Sequence, residues 1–216
     1  KIKDLFADSI RVKEQFILQY ASLIEEVSEL IVSSFRNGNK LLLMGNGGSS
    51  SDASHIAGEF VNRFQKDRPP LPAIALNTDM AVITSIGNDY GFNLVFSRQV
   101  EALAKEGDIV IAISTSGNSP NVIAAVETAR KMGITTIGLT GGNGGSLATL
   151  VDYAFVVPSK ATPRIQEVHI TLGHVICQVV EDALFGNSGD TILNSVIQEL
   201  SMVSPELQSR ITRGGF

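Results

Sequence analysis

Leu41-Leu42-Leu43-Met44-Gly45-Asn46-Gly47-Gly48-Ser49-Ser50-Ser51-Asp52-Ala53-Ser54-His55-Ile56-Ala57-Gly58-Glu59 is the stretch on which the reading of this chain turns. Residues 41–44 form a short apolar run closed by glycines, as a buried strand is, and the residues from Ser50 onward read as a helix. A strand that feeds a Gly/Ser loop opening a helix can cradle a phosphate. Glycine lets the backbone approach an anion, first-turn amides lack partners inside the helix, and the helix dipole adds positive potential. The loop matches neither the Walker pattern nor the dinucleotide fingerprint, so by itself it is equally a plain turn. His55 and Glu59 follow it, four residues apart and therefore on one helix face. Such a pair is commonly a surface ion pair of small worth. Here Ala53, Ser54, Ala57 and Gly58 are small and leave room around both side chains, where a solvated face would carry Lys, Glu or Gln.

Outward from that stretch the chain alternates. Strands are expected at 40–44, 72–76, 109–113, 135–139 and 153–157, and helices at 50–63, 79–86, 93–103, 120–131 and about 163–184. Apolar strands rich in Ile, Val and Leu between helices predict an α/β fold whose parallel sheet is covered on both faces, with ligands beyond the carboxyl ends of its strands. Before the first strand, residues 2–35 repeat apolar side chains near helical period, as a long helix or a helix pair, and Asn37-Gly38-Asn39 ends it. So long an apolar stripe exceeds what a small sheet covers. Part of it is therefore expected to pack on another subunit, with packing inside the chain as the alternative.

The loop after the third strand reads Ser114-Thr115-Ser116-Gly117-Asn118-Ser119-Pro120. Ser119 suits a helix N-cap and Pro120 a first helical turn. Capping does not explain three successive hydroxyl residues after a buried strand. Where no Arg or Lys is nearby, hydroxyls and free amides are the donors a phosphate needs, and this loop is the more specific of the two. Gly141-Gly142-Asn143-Gly144-Gly145-Ser146 is either a cradle or a flexible turn. Asn88-Asp89, before Tyr90-Gly91, is explained by turn chemistry alone.

In Thr162-Pro163-Arg164-Ile165-Gln166-Glu167-Val168-His169-Ile170-Thr171-Leu172-Gly173-His174, Thr162 can cap and Pro163 can open a helix with a broad apolar face. His169 alone reads as a satisfied core residue. His174 follows Gly173, and a glycine inside a helix, costing about 1 kcal/mol relative to alanine, marks the close approach of a ligand or another backbone. Gln166 and His174 are separated by about 12 Å of helix rise. To serve one metal they must meet it between their tips or come from different copies of the chain.

The composition sets outer limits. At 216 residues, 44% hydrophobic, the chain is long enough for one compact domain with a sizeable core. A net charge of −5 and the lack of a basic run leave no footprint for nucleic acid. The single cysteine, Cys177, rules out a disulfide framework. No signal peptide or membrane-length apolar run is read, and a cytoplasmic, membrane-free protein is expected.

Taken together, Gly45-Asn46-Gly47-Gly48-Ser49, the Asp52-x-x-His55-x-x-x-Glu59 spacing, Gly87-Asn88-Asp89, Ser114 to Ser119, and Arg164-Ile165-Gln166-Glu167 with His174 resemble the phosphoheptose isomerases (sedoheptulose 7-phosphate isomerases), which have the sugar isomerase (SIS) fold. The similarity runs to about Phe185. It implies a three-layer flavodoxin-like fold, with a central five-stranded parallel sheet flanked by helices and a long N-terminal helix. The implied domains are 1–38, a helical segment used in oligomer packing; 39–185, the sugar-phosphate-binding domain; and 186–216, a C-terminal extension of unassigned role. It further implies a homotetramer with active sites at subunit interfaces, interconverting sedoheptulose 7-phosphate and D-glycero-D-manno-heptose 7-phosphate on the route to ADP-heptose and lipopolysaccharide. By the resemblance, His55, Glu59, Gln166 and His174 are ligands of one zinc per subunit, and Glu59 and His174 also the acid/base pair. Asn46, Gly47, Gly48, Ser49, Glu59, Asn88, Asp89, Ser114, Thr115, Ser116, Ser119 and Gln166 hold the sugar phosphate. The alternative is a non-catalytic protein of the same fold that binds the replication initiator, a group that typically lacks the histidine at the position of His174.

Overall fold

The computed structural model describes residues 1–186, so the expected extension at 186–216 lies, beyond Gly186, outside the described residues. Five strands, β1 (Leu41–Gly45), β2 (Ala73–Ala75), β3 (Ile109–Ile113), β4 (Thr135–Gly141) and β5 (Tyr153–Val157), form one sheet in the order β2-β1-β3-β4-β5, parallel throughout. The helices are α1 (Ile2–Arg36), α2 (Gly48–Val61), α3 (Met80–Asp89), α4 (Ser97–Leu103), α5 (Pro120–Lys131), α6 (Leu147–Leu150) and α7 (Thr162–Phe185). This is the expected three-layer flavodoxin-like arrangement, with the long N-terminal helix in front of it.

Strand alternation sorts the core into two layers. Leu41, Leu43, Ile109, Ile111, Ile137 and Leu139 pack with the inner faces of α1, α2 and α7. Leu42, Met44, Val110 and Ala112 point the other way, onto Val100 of α4, Val122 and Val126 of α5, and Leu147 of α6. With both faces covered, the central strands β1 and β3 have no polar side to show and read as continuous apolar runs.

The N-terminal segment is one unbroken helix of 35 residues, about 52 Å long, rather than a pair. From Val12 to Phe35 its inner side is buried, with Phe16, Tyr20, Ile24, Val27 and Ile31 in the same cluster as the sheet. The Tyr20 hydroxyl also accepts the Val156 N–H of β5 at 3.1 Å. The first turns are different: Ile2, Phe6 and Ile10 are 74%, 70% and 56% exposed. The expected helix at 93–103 is divided into a 3-10 turn, Phe92–Leu94, and α4. The short α6 carries no sequence signal and was not expected. At α7 the cap lies one residue earlier than anticipated, on Ala161, and Thr162 is already helical.

Of the described helices α7 is the one long and apolar enough to span a membrane by length and composition. Ile165, Val168, Leu172, Ile176 and Val180 are instead buried in the α1/α2 layer. Gly173 in its middle is explained by close approach, although of a side chain and not of a ligand: Cδ1 and Cγ1 of Ile56 on α2 stand where a Cβ would project. His169 is the core residue expected. It is 2% exposed, and its Nε2 lies 3.1 Å from the Thr140 carbonyl. Nδ1 has no partner among the described residues.

Burial pushes His169 down to about 4, only partly offset by the bond to Thr140. An unfolded chain protonates its imidazoles near 6.5. Between those values the unfolded state binds the extra proton, so His169 leaves stability intact above about pH 6.5 and removes it as the pH falls toward 4. The expected loss is roughly 3 kcal/mol across that window. His169→Gln keeps a donor for Thr140 and should flatten this part of the pH profile in urea unfolding at pH 7.5 and 4.5. An unchanged slope would place the acid sensitivity elsewhere.

Candidate active site

β1 and β3 are neighbours in the sheet, yet their chains leave in opposite directions. β1 runs into α2 on one face and β3 runs into α5 on the other. This divergence opens a crevice at the carboxyl ends of the strands, the usual ligand position in such sheets. The glycine loop at 45–48 and the serine loop at 114–119 are its two lips. Asn121, in the first turn of α5, joins them: its side-chain amide exchanges two hydrogen bonds with that of Asn46, at 2.8 and 2.9 Å. Asn121 is 2% exposed and also accepts the Val122 N–H. Sequence reasoning passed over it, because an Asn after Ser-Pro looks like helix-start filler.

The two loops differ in what they have to spare. At the start of α2 the Ser49 amide bonds the Asn46 carbonyl, and the Ser50 and Ser51 amides bond the Gly47 carbonyl, so the expected free amides are largely engaged in turns. In the serine loop the Thr115 and Ser116 amides make no hydrogen bond among the described residues. Ser119 does occupy the N-cap of α5 but makes no side-chain cap bond. Its hydroxyl instead meets that of Ser114 at 2.9 Å. Hydroxyls gathered beside open amides suit an anion.

The glycine run at 141–145 is not a slack turn but is packed on the serine loop. Gly117 has φ +66, a left-handed conformation, and the Gly144 carbonyl fills the space beside it. The Leu147 amide bonds the Gly117 carbonyl at 2.9 Å, and the Ser146 amide bonds Asn118 Oδ1 at 3.0 Å. The run therefore props the serine loop from behind, backbone against backbone.

The trio His55, Glu59 and His174 is built by two helices lying side by side. His55 Nε2 is 3.2 Å from Glu59 Oε1 on its own helix and 2.9 Å from His174 Nε2 on α7, 119 residues away in sequence. One ligand atom from each of the three falls within 4.8 Å of the others. Two imidazole nitrogens and a carboxylate oxygen converging in this way suit a divalent transition metal. One turn before His55, burial raises the Asp52 carboxyl, with the charge of His55 opposing it. Its Oδ2 is enclosed without a partner among the described residues.

Other expected residues lie apart from this trio. The Gln166 amide packs directly over Gly48 in the glycine loop, eight residues along α7 from His174. Asn88 and Asp89 end α3, bonded to each other at 2.8 Å and exposed. No side chain of α3 is buried, and Met80 on it is 63% exposed.

Residues 5–141 match the SIS domain family. The chain is 60% identical to the phosphoheptose isomerase of Thermodesulfovibrio yellowstonii over 86% of its own length and 92% of that protein's. To the phosphoheptose isomerase of Aquifex aeolicus it is 54% identical, over 84% and 95% of the two chains. Among solved structures, the phosphoheptose isomerase of Neisseria gonorrhoeae superposes with a TM-score of 0.79 at 42% identity, covering 84% of this chain and 97% of that one. That of Francisella tularensis gives 0.81 at 40% identity, with the same coverage. Identity of this degree across nearly the full length of the relatives, on the same fold, makes the chain a member of the phosphoheptose isomerase family.

Proposed function

We propose that this chain is an aldose–ketose isomerase interconverting sedoheptulose 7-phosphate and D-glycero-D-manno-heptose 7-phosphate, with His55, Glu59 and His174 as its reactive group. The observation that carries the proposal is the meeting of these three side chains from two separate helices, beside a loop of hydroxyls and open amides. The relatives named phosphoheptose isomerase support the same reading. A protein that only bound a partner would have no use for an imidazole at His174 turned onto His55.

The phosphate is assigned to the serine loop, Ser114, Thr115, Ser116 and Ser119, with Asn46, Gly47, Gly48, Ser49 and Gln166 lining the opposite lip. These are uncharged donors, which grip a dianion through many short contacts instead of one ion pair. In the isomerisation Glu59 takes the proton from C1 of the ketose. The electron pair released forms the C1–C2 double bond of an enediol, and a proton returned to C2 gives the aldose. His174 moves the matching proton between the two oxygens. Zinc suits the His55, Glu59 and His174 donors, and when bound it supplies positive charge that polarises the sugar oxygens. A carboxylate that also serves a metal is a weaker base, so the two duties compete at Glu59. Gln166 packs over Gly48, eight residues along α7 from His174, so as a fourth ligand it would meet the ion between the two side-chain tips or come from a neighbouring copy.

The exposed apolar start of α1, and α3 with Met80 exposed and Ile83 and Ile86 no more than partly buried on the core, support a homotetramer with sites between subunits, to which Asn88 and Asp89 would be presented from the end of α3. A cytoplasmic step toward a nucleotide-activated heptose of surface polysaccharide is the setting assigned to it.

Three measurements test this reading. In an assay following sedoheptulose 7-phosphate, Glu59→Gln and His174→Ala should each lower kcat by about 10²–10⁴-fold while the circular dichroism stays that of the parent. Full turnover in both would remove the mechanism. Zinc should be bound at one per chain by elemental analysis, and His55→Ala should lose it. Finally, a Cβ at Gly145 would meet the Ser116 carbonyl oxygen at 2.5 Å and Gly117 at 2.7 Å. Gly145→Ala should therefore raise KM by about tenfold or more, a difference of ~1.4 kcal/mol in binding, and spare kcat more than KM.

A further inference from the structure

The segment between α2 and β2 is held by an anchor that the site described so far does not use. Glu181 lies seven residues beyond His174 on α7, two turns along the same face, and is 1% exposed. Its carboxylate accepts the backbone N–H groups of Phe64, Gln65 and Lys66, at 3.0, 2.8 and 2.8 Å, and the Arg68 Nε–H at 2.8 Å. The Arg68 guanidinium then turns back to the end of α2. It donates to the Glu59 carbonyl and the Phe60 carbonyl, each at 2.9 Å, two of the last-turn carbonyls that a helix cannot satisfy itself. One buried pair thus ties together the helix end that carries Glu59, the helix that carries His174, and the loop between them in space.

The loop so folded puts the Phe64 ring on His174. Their centroids are 5.6 Å apart and their planes 30° from parallel. His55 touches the same imidazole with its ring 5.1 Å away at 64°. An imidazole rotates freely about its last side-chain torsion unless its neighbours prevent it, since that torsion has a broad profile. His174 has such a neighbour on one side in Phe64 and a hydrogen-bond partner in His55.

We propose that Phe64 is a positioning residue that fixes the ring plane of His174, and that Glu181 with Arg68 is the clamp holding Phe64 in place. The proposal rests on His174 taking part in the isomerisation. A residue with this task must be a flat ring, whereas one that only fills core volume can be any apolar side chain of similar size.

The experiment compares Phe64→Tyr with Phe64→Leu in the full chain. Leucine should lower kcat for sedoheptulose 7-phosphate by about tenfold or more with KM within twofold of the parent, and tyrosine should restore most of the loss. Equal kcat in the parent and Phe64→Leu would overturn the proposal, as would equal losses in both variants. A second readout needs no turnover: nuclear Overhauser contacts between the Phe64 and His174 rings, and the ring-current shift of the His174 carbon-bound protons, which Phe64→Leu should abolish. Absence of those signals in the parent also overturns it. If the parent leaves the sugar unchanged, the isomerase reading fails, and the spectra still decide whether Phe64 holds the ring. Glu181→Gln should weaken the same ring contacts, and their full retention would remove the clamp from the proposal.

Discussion

At Gly173 the missing side chain lets Ile56 of α2 press directly against α7. The next residue along is His174, and the one before Ile56 is His55, so the close packing of the two helices at this point adjoins the meeting of the two imidazoles. A glycine in a helix interior is costly relative to alanine. Here the cost is set against apolar contact with Ile56 and against the meeting of His55, Glu59 and His174. A side chain here would collide with Cδ1 and Cγ1 of Ile56, so that either Ile56 repacks or the helices move apart and the 2.9 Å contact lengthens.

The rest of the site depends on loops that support one another. Asn46 and Asn121 close the crevice at its base, and the glycine run at 141–145 backs the serine loop so that its hydroxyls and amides face outward. An anion site without lysine or arginine works only if its donors are already aimed, because neutral groups lack the long-range pull that would gather a phosphate and reorganise around it. The backbone contacts among Gly117, Gly144 and Gly145 provide that aim. They leave no room for side chains, which is the physical reason for so many glycines in this run.

Much of this was legible in the residues. Apolar runs such as 41–44 and 109–113 between helical stretches pointed to the parallel sheet, since strands buried on both faces have no polar side to show. The hydroxyl loop stood out because its chemistry is local and consecutive, and His55 with Glu59 because helical spacing is enough to pair them. Asn121 was not legible, since its partner lies 75 residues away and its type is ordinary at a helix start. Glu181 and Arg68 carried no signal for the same reason: nothing in the sequence marks a carboxylate that will accept three backbone amides from another segment. The 141–145 run was ambiguous, because glycine permits a cradle, a hinge and a buttress alike.

By itself, then, the sequence determined the local quantities: which segments are strands, which helix face is apolar, which loop carries donors, and which pair of side chains shares a turn of helix. Those follow from spacing and residue type along a few residues of chain. Tertiary structure alone decided that His174 joins His55 while Gln166 goes to Gly48, that the glycine run is a support, and that the Phe64 ring lies on the imidazole of His174. Each of these depends on how closely two distant segments approach, and that distance is set by side-chain volume at the contact, a property of the pair and of neither segment alone.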